Sequence, residues 1–79
     1  MNTMNTNNKP LFSHRLHRVE VAVWRNQNDT SHWHNITFQK GYRDSEGNLQ
    51  TTTSLLMEDL PALSFLANKA YDFLASIEQ

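Results

Sequence analysis

Two tryptophans and a set of arginines are the side chains best suited to bind something. Val19, Val21 and Val23 alternate with Glu20, Ala22 and Trp24, so when the valines face a core, Trp24 and Glu20 face away with Arg18 beside them. In the next apolar stretch Ile36, Phe38 and Tyr42 share one side, while Trp33, Thr37 and Gln39 share the other and Arg43 lies near its rim. Indole rings beside guanidinium groups on an open sheet can stack bases while the cations hold phosphates, which is how single strands are bound without reading their sequence. The same pattern also fits a cross-strand tryptophan pair or aromatics packed in a subunit interface.

Other chemistries find little to work with. His32 and His34 flank Trp33 and share one strand face, but with His14 and His17 they fit no metal-ligand spacing, and the absence of cysteine removes thiolate sites. Surface or edge histidines are expected, with no metal and no cofactor. There is no nucleophile elbow, phosphate-cradling glycine loop or carboxylate pair, and only two glycines in all. The composition reads as a non-enzyme.

The elements that must position these residues follow from periodicity. A strand is expected from Leu16 to Arg25 and a second from about Trp33 to Arg43, joined by the turn-forming run Asn26 to Ser31. Gly41 suggests a bulge. Asp44-Ser45-Glu46-Gly47-Asn48 reads as a hairpin turn with Gly47 at positive φ, leading to a threonine-rich edge strand over Leu49–Leu55. A further short strand can form around Leu11 to His14. From Met57 the period becomes helical, with Leu60, Leu63, Leu66, Ala67, Ala70, Phe73, Leu74 and Ile77 on one stripe and Pro61 in the first turn.

The fold class is therefore α+β: a small antiparallel sheet of three to four strands backed by one C-terminal amphipathic helix. Residues 1–10 are expected to be a disordered tail and 11–79 a single β-β-β-α domain. Roughly 65 residues without disulfides are marginal for a core, which favours a homodimer through Leu63, Leu66, Ala70, Phe73, Leu74 and Ile77. No apolar run nears the ~20 residues of a membrane span, and no signal peptide is evident, so a cytoplasmic protein without membrane contact is expected.

Charge is divided along the chain. Residues 1–43 carry six of the seven basic side chains against Glu20 and Asp29, while residues 44–79 carry Lys69 against six acids. Such division marks either a polyanion-binding face or halves that complement one another.

The stretch from Ile36 to Leu66 resembles the positive cofactor four (transcriptional coactivator p15) family of single-stranded-DNA-binding domains. The likeness lies in a strand ending near Tyr42, Asp44-x-Glu46-Gly47-x-Leu49, a strand through Ser54-Leu55, and a helix opening on acidic residues. The resemblance implies a curved sheet backed by a helix, dimerised through helices, with DNA on the sheet and contacts from Trp24, Arg25, Trp33, Lys40 and Arg43. One segment departs: Gln50-Thr51-Thr52-Thr53 stands where the family has a basic, glycine-containing stretch. Trp24-x-Asn26, Thr37-x-x-x-x-Tyr42-x-Asp44, Ser54 and Asp59-Leu60 also resemble small uncharacterised bacterial or mobile-element proteins. The alternative function is accordingly a protein-binding or inhibitory module of phage or mobile-element type, acting through its edge strand or acidic helix.

Overall fold

The three valines at the start of the second strand organise the molecule. In a computed structural model describing residues 9–78, Val19, Val21 and Val23 are fully buried and form one line of a sheet face. The strands are β1 (Phe12–Leu16), β2 (Val19–Gln27), β3 (His32–Arg43) and β4 (Leu49–Thr52). They form one antiparallel meander in the order β1-β2-β3-β4. A short 3-10 turn (Met57–Asp59) leads into the helix α1 (Leu60–Ile77). Of the tail expected over residues 1–10, residues 1–8 lie outside the described ones.

Register fixes the two faces. Phe12, His14 and Leu16 oppose Val23, Val21 and Val19, and Ile36, Phe38 and Lys40 oppose the same valines from β3. All belong to the helix-bearing face, because side chains alternate along each strand. The opposite face carries Ser13 and Arg15; Glu20, Ala22, Trp24 and Asn26; Trp33, Asn35, Thr37, Gln39, Gly41 and Arg43; and Leu49 and Thr51.

Helix α1 lies over β1 and β2. Its buried line is Ala62, Leu66 and Ala70, spaced by four, with the two alanines letting the backbone approach the valines. Phe73 stacks on Phe12 at 4.8 Å between ring centroids, and His14 meets Phe65 at 5.8 Å. The expected stripe is thus shifted: Leu60 and Ile77 are about half exposed, at 50% and 47%, and Ala62 takes a central place. Burying a valine or leucine is worth about 1.5–3 kcal/mol, and six buried apolar residues leave a thin margin.

The short first strand forms and completes the four-stranded sheet, taking in Leu16, which the periodicity assigned to the next strand. Two local features differ from expectation. β4 stops at Thr52, whose Oγ1 accepts the Ser54 amide at 3.0 Å and turns the chain, so that Leu55 packs against the core instead. The ladder also runs unbroken through Gly41: its amide donates to the Arg18 carbonyl at 3.0 Å and it opposes Thr51 in β4. There is no bulge.

The turns follow their side-chain chemistry. Asn28 Oδ1 accepts the amides of Thr30 and Ser31 at 3.0 and 2.9 Å. Asp44 Oδ1 accepts those of Glu46 and Asn48, both at 2.9 Å, while Gly47 adopts φ 84°. These amides, with the Gln50 side chain, hold the Asp44 carboxyl below its ordinary range, the Asn48 amide acting most strongly.

Candidate functional site

The face away from the helix bears a continuous trough. At one end a cleft of about 150 Å³ is lined by Arg15, Arg18, Gly41, Tyr42, Arg43 and Leu49. It overlaps a smaller depression bounded by Arg15, Arg18, Glu20, Gln39, Gly41, Leu49 and Thr51. That in turn shares Glu20 and Gln39 with a third depression, about 210 Å³, lined also by Pro10, Ala22, Trp24 and Thr37. At about 3.3 Å per residue, Arg18 and Trp24 stand roughly 20 Å apart along this path.

Each wall has a local reason for its position. Arg18 sits in the two-residue β1–β2 turn, where His17 takes φ 58° and the Arg18 carbonyl is bonded to Gly41. Arg43 Nη1 donates to the Gly47 carbonyl at 2.8 Å, fixing its guanidinium while leaving other donors free. Arg15 approaches Glu20 Oε1 at 3.5 Å, and Gln39 Nε2 donates to the same oxygen at 3.3 Å. Trp24 Nε1 donates to Thr37 Oγ1 at 2.9 Å, which orients the indole across the β2–β3 pair. Between the arginines and Trp24 the floor is mixed, with Gln39, Thr37 and Thr51 beside Ala22 and Leu49.

The expected binding residues divide. Arg18, Trp24 and Arg43 line the trough, and Trp33 lies farther along the same face, 43% exposed and opposite Asn26. Lys40 does not join them. Its register places it under the helix start, where Nζ bonds Asp59 Oδ2 at 2.8 Å and both side chains are largely covered. Arg25 shares Val23's parity and belongs to the helix-bearing face. Arg15 was not singled out from the sequence: it precedes the regular valine pattern, and only the pairing of β1 with β2 brings it beside Arg18.

A second concavity lies on the helix-bearing side. Because α1 covers β1 and β2, the end of β3 is left open, and a groove of about 600 Å³ runs between it and the helix. Trp33, Ile36, Tyr71 and Leu74 line it with His32, His34, Ala75 and Glu78. His34 Nδ1 lies 3.4 Å from Glu78 Oε2, and its Nε2 is shielded without a partner among the described residues. Of the expected dimer residues, Leu66 and Ala70 are committed to the chain's own core and Phe73 and Leu74 pack against it, leaving Leu63 and Ile77 at the periphery. Leu63 and Leu74 are half-buried.

Among the described residues no three His, Asp or Glu side chains come together as a metal site, and no helix is long and apolar enough to cross a membrane. No protein-family model, curated protein or solved structure matches the chain.

Proposed function

We propose that this chain is a non-catalytic, single-stranded nucleic-acid-binding domain that uses the sheet face opposite its helix. The observation that carries the reading is the continuity of the trough, which joins three arginines at one end to an oriented indole on its far side. A linear polyanion with flat bases matches both ends at once: phosphates meet guanidinium groups and a base stacks on Trp24. The resemblance of Ile36–Leu66 to the p15 family points the same way, with Arg15 and Arg18 supplying charge that the 50–53 segment lacks.

The test is fluorescence anisotropy of a labelled single-stranded oligonucleotide titrated with the protein. Binding that falls in Arg18→Gln and Trp24→Ala but not in Arg25→Gln supports the reading. Equal binding by all four proteins contradicts it.

The exposed apolar groove favours a second, compatible reading, in which another copy of the chain docks on the helix-bearing side. Ile36 and Tyr71 are 42% and 68% exposed there. Sedimentation velocity of the wild type and Tyr71→Ser distinguishes a dimer through this groove from a monomer.

A further inference from the structure

We propose that the arginine cleft is a phosphomonoester site that takes the terminal phosphate of the bound strand, an assignment that rests on the nucleic-acid reading above. Arg15, Arg18 and Arg43 line a single cleft of about 150 Å³, with Glu20 in the adjoining depression 3.5 Å from the Arg15 guanidinium. The cleft is open on its outer side and has room for one phosphate and its hydration.

Charge selects the kind of phosphate. An internal diester carries a single negative charge, whereas a monoester carries about −1.5 to −2 at neutral pH and three acceptor oxygens. Three cations, partly offset by Glu20 at the flank of Arg15, correspond to the dianion. The planar donors of three arginines can also approach it from different sides, as a lone lysine cannot.

Gly41 completes the site. A side chain there belongs to the trough face, and lining both depressions with a bare backbone leaves the anion room to approach. A Cβ at this position meets only the Gln50 carbonyl and Leu49 Cδ1, both at 4.0 Å, so the fold has room for a larger residue while the cleft does not. That separates a binding defect from a folding defect.

The experiment compares one short single-stranded oligonucleotide in three forms: unphosphorylated, 5′-phosphorylated and 3′-phosphorylated. In parallel, phenyl phosphate is titrated while the Gly41 amide is followed by NMR. The expected result is at least about tenfold tighter binding of one phosphorylated end, as charge-assisted bonds imply, with the preference lost in Arg18→Gln and in Gly41→Val. Both variants should keep the wild-type unfolding midpoint within error. Equal affinity for all three forms overturns the terminal-phosphate assignment and leaves the general strand reading standing. If no oligonucleotide binds but phenyl phosphate shifts Gly41, the assignment to a nucleic-acid end is overturned together with the strand reading, and a phosphorylated peptide or small molecule takes its place. No response to either probe overturns the site itself.

Discussion

Lys40 Nζ lies 2.8 Å from Asp59 Oδ2, and this pair ties the middle of β3 to the turn that starts the helix. Asp59 Oδ2 also accepts the Leu56 amide at 2.8 Å, so one carboxylate closes the turn and anchors the sheet. The pair removes a cation from any ligand-binding role and places it in the architecture.

The same pair predicts an acid-sensitive fold. The Lys40 ammonium, followed by the Leu56 amide, holds the Asp59 carboxyl below its ordinary 3.8. A group whose folded pKa is depressed stabilises the fold above its unfolded value, and that contribution is lost as pH falls through the folded one. Stability should therefore drop from about pH 4 downward. Asp44, lowered by its turn amides, adds to the drop in the same window. Urea midpoints of wild type and Lys40→Met at pH 7 and pH 3 check this. The variant should be less stable at pH 7 and lose less on acidification, with its oligonucleotide affinity at neutral pH close to wild type.

Trp24 should carry more of the binding than Trp33. Its indole is held by Thr37 within the trough, whereas Trp33 lies at the far end, where it also edges the groove beside the helix. Removing a stacked aromatic costs about 1–3 kcal/mol per base. Trp24→Ala is expected to lose an amount in that range and Trp33→Ala clearly less, by anisotropy. Thr37→Val should fall between wild type and Trp24→Ala, since it frees the ring without deleting it.

The helix core gives a stability contrast. Leu66 is fully buried against the valines, and Leu→Ala at such a site costs about 2–5 kcal/mol. Ile77, 47% exposed in the last turn, should change monomer stability by no more than roughly 1 kcal/mol on conversion to Ala. Chemical denaturation of Leu66→Ala and Ile77→Ala reads the difference. A comparable loss in both would mean that Ile77 is covered by a partner in solution.

Much of the fold was legible in the chain. The valine alternation, the Asp44–Asn48 turn and the helical period each express a local rule, and each reappears in the structure. The site was legible only in half. Period-two alternation sorts Trp24, Trp33 and Arg43 correctly onto one face, but the same alternation puts Arg25 and Lys40 on the other. Arg15 and Gly41 depend on pairing between strands, which no local pattern encodes: β1 has five residues and little apolar contrast, and Gly41 reads as a bulge until its ladder partners are known. Of the two alanines that set how closely α1 approaches, Ala70 lies on the stripe the helical period picks out, whereas Ala62 is obscured by the larger residues beside it.

The measurement that bears most directly on the trough is the salt dependence of oligonucleotide affinity. Each phosphate neutralised on a single strand contributes about −0.7 to the slope of log K against log salt, so binding on this face predicts a slope between roughly −0.7, where the three arginines share one phosphate, and roughly −2, where each meets its own. Arg18→Gln and Arg43→Gln should each make that slope shallower, by at most about 0.7, while Arg25→Gln on the other face leaves it unchanged. A flat salt response, or a slope that changes only with Arg25, would contradict binding on this face.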